Sequence, residues 1–111
     1  MPNGIWLVMK TSAGSERPFP VRKDRTVIGR EAGSDLRIAI PRVGAPHCEL
    51  TYAHEELRVT DLGSDCGTLH NGKRVGEALL ADADTLTVGP VTLEIRFGNG
   101  VAPGSSVELK P

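Results

Sequence analysis

His47, Cys48, Cys66 and His70 are of the types that hold transition metals, and His47, His54 and His70 are the side chains from which a general base could be drawn. Their spacing serves neither purpose. The four metal-binding types fit no zinc signature, and Cys48 lies in a stretch of alternating polarity that points it inward, away from His47. Cys48 therefore reads as a small core residue, and Cys66 as a loop residue open to oxidation. His54 sits on a polar turn beside Glu55 and Glu56, and no nucleophile or orienting group converges on His47. A phosphate-cradling Gly-x-x-x-x-Gly-Lys loop, a nucleophile elbow and a paired-carboxylate site are all missing from the sequence. The expectation is no catalytic residue, no metal and no cofactor.

What remains is chemistry for binding. Arg30 follows Gly29, and its guanidinium offers a planar fork of donors that can meet two oxygens of one anion. Arg42 lies further along, and Lys73-Arg74 beyond it. Two outcomes are open for Arg30: contact with an anionic ligand, or a surface pair with Glu31, Asp35 or Asp65. The whole chain of 111 residues has 13 Lys and Arg against 14 Asp and Glu, a formal charge of −1. No basic cluster exceeds Val21-Arg22-Lys23, so nucleic acid and anionic membrane are not expected partners. The start of the chain has no basic n-region, and its apolar run is too short for a signal peptide or a span. With only two cysteines, a reduced, cytoplasmic setting is expected.

Strands must carry these residues. Val91–Phe97 alternates apolar and polar positions, as does Asp84–Val88, with Gly89-Pro90 between them as a turn. Cys48, Leu50 and Tyr52 alternate with His47, Glu49 and Thr51, and Leu57 and Val59 resume the period after Ala53–Glu56. Upstream, Ile5–Lys10, Thr26–Arg30 and Leu36–Ile40 read as strands. Asn71-Gly72 between two short runs is a hairpin signal, because a type I′ turn needs positive φ at both central residues. Gly76–Ala83 is the one helix-like stretch, too short and too weakly periodic to be assigned as a helix. The pattern is all-β, with two packed sheets or a barrel. Residues 1–98 form one domain, and residues 99–111, rich in Gly, Pro and Ser, a tail or last short strand.

Three segments in order then carry a likeness: Val27-Ile-Gly-Arg30, His47-Cys-Glu-Leu50, and Asp61-Leu-Gly-Ser-Asp-Cys-Gly-Thr-Leu-His-Asn-Gly72. Together with Ser34-Asp35-Leu36 and Ala83–Gly89 they resemble the forkhead-associated (FHA) domain across residues 5–97. The resemblance implies a β-sandwich of about eleven strands in two mostly antiparallel sheets, whose loops at one end bind phosphothreonine peptides. It implies that Gly29, His47, Ser64, Gly67, Asn71 and Gly72 shape those loops, that Asp61 helps to fix them, and that Arg30 is the main phosphate contact. In that family the His is preceded, three residues earlier, by a Ser that touches phosphate, and the next residue is often cationic or amide. Here these are Gly44 and Ala45. After the loop Ser the family usually has Thr-Asn; here it is Asp65-Cys66.

Each donor to a charged group contributes about 1.5–3 kcal/mol, so losing two weakens binding on the order of a hundredfold. Asp65 adds a like charge where a phosphate would arrive. The expected function is protein–protein interaction of the FHA type, with phosphothreonine recognition weakened or absent and Arg30, Arg42, Gly44, Ala45, Asp65 and Cys66 facing the partner. The alternative is a phosphothreonine reader that uses Arg30 and a rearranged set of cations. Self-association is a further route to function.

Overall fold

A computed structural model of the chain describes residues 4–10 and 14–98; the tail expected at 99–111 lies outside the described residues. Eleven strands form two sheets. In chain order they are β1 (Gly4–Lys10), β2 (Glu16–Pro20), β3 (Arg25–Gly29), β4 (Leu36–Arg37), β5 (Cys48–Ala53), β6 (Glu56–Asp61), β7 (Thr68–His70), β8 (Lys73–Val75), β9 (Glu77–Leu80), β10 (Thr85–Val88) and β11 (Val91–Gly98). One sheet runs β2-β1-β11-β10-β7-β8 and the other β4-β3-β5-β6-β9. Every pairing is antiparallel except β3 with β4.

Alternation makes the core. Ile5, Leu7, Leu93 and Ile95 from one sheet meet Ile28, Leu50 and Val59 from the other, all buried. Cys48 points into this core, and burial pushes its thiol up to about 12, so it is an inert apolar residue.

The sequence reading differs from the structure at three strands. The stretch Glu16–Pro20 is a strand although it holds two prolines, because it lies at a sheet edge, where missing N–H groups are tolerated. The expected strand Leu36–Ile40 shrinks to Leu36–Arg37; beyond it the backbone turns, with Ile40 N bonded to Ile38 O. Within Gly76–Ala83, residues Glu77–Leu80 pair with β6 as a strand.

Candidate functional site

Register brings three loops to one end of the sandwich. Ile28 pairs with Cys48, and Cys48 pairs with Asp61. The chain leaving β3, the chain entering β5 and the chain leaving β6 therefore meet side by side. Backbone bonds tie them: Arg30 N to Gly44 O at 2.9 Å, His47 N to Ile28 O at 2.9 Å, and Leu62 N to His47 O at 2.9 Å.

Two side chains lock this edge from within. His47 is fully buried, accepts the Gly44 N–H at Nδ1 (2.9 Å) and donates from Nε2 to Gly67 O (2.9 Å). Those two partners fix a neutral imidazole with its proton on Nε2, and one ring bridges two loops. Asp61 accepts from Ser64 Oγ (2.6 Å), Thr68 Oγ1 (2.7 Å), Gly63 N (3.0 Å) and Ser64 N (3.3 Å). Its partial burial works against the charge, but the hydroxyl and amide donors outweigh that and hold its carboxyl below the usual range. Thr68 opens β7 of the other sheet, so Asp61 also ties the sheets together.

The outer side of the same loops is a cavity of about 470 Å³, and Arg30, Arg42, Gly44, Ala45, Asp65 and Cys66 all line it. Leu62 and Gly63, from the Asp61–Gly72 motif, also line it, as do Pro41, Val43 and Pro46, which no residue type or motif marked in advance. Arg30 makes none of the surface pairs weighed for it. Its Nε donates to Val43 O (3.0 Å), while Asp35 is taken by Lys23 at 2.6 Å. Among the described residues no carboxylate pairs with Arg30 or Arg42. Ser64 also lines the cavity, but its hydroxyl donates to Asp61.

Gly44 is glycine for want of space. A Cβ there would lie 2.9 Å from Pro46 O, 3.1 Å from His47 Cα and 3.2 Å from Ser64 Cβ. Gly29 is likewise crowded, its hypothetical Cβ 2.8 Å from Ser34 Oγ and 3.0 Å from Pro46 Cα. Gly67 has φ of 80° and lies under the Arg74 side chain.

Asn71 and Gly72 are not part of this cavity. They turn β7 into β8 at the other end of β7, with φ of 53° and 85°. There Asn71 Oδ1 accepts from Thr85 N (2.8 Å), and Asp84 accepts from Ala81 N (2.9 Å) and Asn71 Nδ2 (3.2 Å) and meets His70 Nε2 at 2.7 Å. Slight burial opposes the Asp84 charge, yet these partners keep its carboxyl below the usual range.

A family model described as the FHA domain matches residues 26–89, more than half of the chain. The chain belongs to the FHA domain family. It is thus a non-catalytic binding module of phosphopeptide-signalling type. The glycogen accumulation regulator GarA of Mycobacterium tuberculosis is 30% identical over 97 residues, 87% of this chain and 60% of GarA. The FHA domain-containing protein FhaA of the same organism is 28% identical over 94 residues, 85% of this chain and 18% of FhaA. This FHA chain thus spans three-fifths of GarA and less than a fifth of FhaA. Among solved structures, one from work on phosphothreonine-dependent FHA domain interactions superposes with a TM-score of 0.78 at 26% identity, covering 86% of this chain and 97% of that one. The FhaA FHA domain, solved with the intracellular domain of another protein, superposes at 0.75 with 27% identity, covering 83% of this chain and 99% of that one. No helix among the described residues is long and apolar enough to cross a membrane.

Proposed function

We propose that this FHA domain docks a segment of a partner protein at the Arg30 edge and that it reads phosphothreonine more weakly than its family pattern provides for. The carrying observation is the donor inventory of the cavity. Gly44 and Ala45 bring no side-chain donor, Asp65 brings a negative charge, and the Ser64 hydroxyl is committed to Asp61. The side-chain donors to an anion are then Arg30, whose Nε is already engaged, and Arg42. Asp65 beside the two guanidinium groups repels a dianionic phosphate more than it repels a singly charged group.

A second reading rests on the same pair of arginines. Arg30 and Arg42 share one cavity and neither has a carboxylate partner among the described residues, an arrangement that could hold a phosphothreonine by charge alone. FHA relatives that bind phosphothreonine-containing partners support it.

Titration calorimetry separates the two, using a degenerate phosphothreonine peptide library and its unphosphorylated twin. The proposal expects affinities that differ by less than about tenfold. Strong binding that requires the phosphate and vanishes with Arg30→Ala would establish the second reading.

A further inference from the structure

Residues of the edge strands β2 and β4 line a slot whose lining is separate from that of the Arg30 cavity. Phe19 and Arg17 of β2 pair with Leu7 and Met9 of β1, so they share the inward-facing row of that sheet. Leu36 of β4 pairs with the buried Ile28 and continues the inward row of the other sheet. Between these rows a slot of about 260 Å³ runs down to Leu7 and Leu93, both fully buried core residues. Met9, Phe19 and Leu36 wall it, and they are only partly buried.

The rim of this slot is positively charged and unneutralised. Arg17 and Arg37 line it, and Arg22 lines an adjoining groove on the other side of Phe19. Arg37 uses its Nε on Arg30 O (3.1 Å), and none of the three arginines has a carboxylate partner among the described residues. The neighbouring cations do have such partners: Lys23 holds Asp35 and Arg25 holds Glu49, each at 2.6 Å. The charge of the chain is divided in the same sense. Residues 1–44 carry eight Lys and Arg against four Asp and Glu, and residues 45–111 carry five against ten. The three rim arginines all come from the basic segment 1–44.

We infer that the slot between β2 and β4 receives an acidic segment of a partner protein, one large apolar side chain of which fills the cavity while flanking carboxylates meet Arg17, Arg22 and Arg37. An apolar anchor ringed by complementary charge is the arrangement that gives specific docking. The contact is made by side chains: Pro18 and Pro20 remove two N–H donors from β2, which makes that edge a poor template for an added strand. The slot and the Arg30 cavity share no lining residue, although Arg37 Nε bonds Arg30 O, and the occupant of the slot needs no phosphate.

The probe is a short capped peptide, Glu-Asp-Leu-Asp-Glu, added to the ¹⁵N-labelled chain and followed by amide NMR. Its comparisons are Glu-Asp-Ser-Asp-Glu and Lys-Lys-Leu-Lys-Lys. The expected result is saturable shifts at Arg17, Phe19, Leu36 and Arg37, weaker with serine, absent with the lysine peptide and reduced by added salt. Arg17→Glu/Arg37→Glu, folded as judged by its spectrum, should lower the affinity by roughly tenfold or more. The inference is overturned by silence at those amides, by shifts confined to the Arg30 cavity, or by equal response to the lysine peptide. Shifts at the same amides that depend on protein concentration without peptide would assign the slot to a second copy of the chain, and would overturn it too.

Discussion

On the inner side of the loop edge, His47 and Asp61 satisfy donors and acceptors from several segments at once; on the outer side, Gly44 and Ala45 bring no side-chain donor and Asp65 brings a carboxylate. The two sides belong to the same residues' loops and lie within a few positions of each other in sequence. Their difference separates two requirements that are easily conflated. Holding FHA loops in place needs buried hydrogen bonds, whereas recognising phosphate needs exposed donors. On the function proposed above, this chain keeps the first with less of the second.

The largest effect should come from the inner side. His47→Ala leaves Gly44 N and Gly67 O unsatisfied and opens a cavity, and should cost about 3–5 kcal/mol by chemical denaturation. A loss below about 1 kcal/mol would show that the ring does not bridge the loops.

Asp61→Asn comes next, at about 3 kcal/mol near neutral pH, because a charged acceptor of four hydrogen bonds is replaced by a neutral amide. Its pH dependence sharpens the test. The folded carboxyl is held below the usual range, so its stabilisation is present above the unfolded value of about 4 and is lost as pH falls through the folded one. Denaturation midpoints of wild type and variant should therefore converge in acid, and parallel pH curves would contradict the assignment.

Gly44→Ser crosses from one side to the other. It adds the hydroxyl that the family places there, but its Cβ meets Pro46 O at 2.9 Å, and the backbone must shift. A loss of about 1–3 kcal/mol is expected with no gain in phosphopeptide affinity. A stable variant with improved binding would show that the loop yields more readily than its contacts suggest.

Smallest is Ala83→Gly. Ala83 has φ of 74°, where a Cβ is unfavourable. Removing that Cβ should raise stability by about 0.5–1 kcal/mol, a rise in melting temperature of a few degrees. No change in the melt would mean that the turn tolerates the side chain.

Much of this was legible in the sequence, for stateable reasons. Strict alternation at Val91–Phe97 and Asn-Gly at residues 71–72 report directly on burial and φ, and both appear as read. The turn from β5 to β6 uses His54 and Glu55 at φ of 54° and 61°, two residue types that do not advertise that conformation. β2 was hidden by its prolines, and β9 by a run whose Leu79 faces solvent, being 47% exposed. At the loop edge, the resemblance named Arg30, Gly44, Ala45, Asp65 and Cys66, and these line one cavity together with Pro41, Val43 and Pro46, which it did not name. The Arg30 bond to Val43 O did not follow from the resemblance, because a side chain's choice of a backbone carbonyl depends on how the loop folds back. Nor did the crowding at Gly44, which arises from Pro46 and Ser64 together.

The most direct test of the central claim is to rebuild the outer side alone. Ala45→Arg, Asp65→Thr and Cys66→Asn add a cation, a hydroxyl and an amide to the cavity beside Arg30, remove the opposing carboxylate and leave the crowded Gly44 unchanged. Calorimetric titration of wild type and this triple variant with a phosphothreonine peptide and its unphosphorylated twin gives one number for each, the affinity ratio due to phosphate. The account predicts a ratio below about ten for the wild type and a rise of roughly a hundredfold in the variant, lost again with Arg30→Ala. A folded triple variant with the wild-type ratio, or a wild type that already depends strongly on phosphate, would contradict the claim that the loops kept their scaffold and lost their contacts.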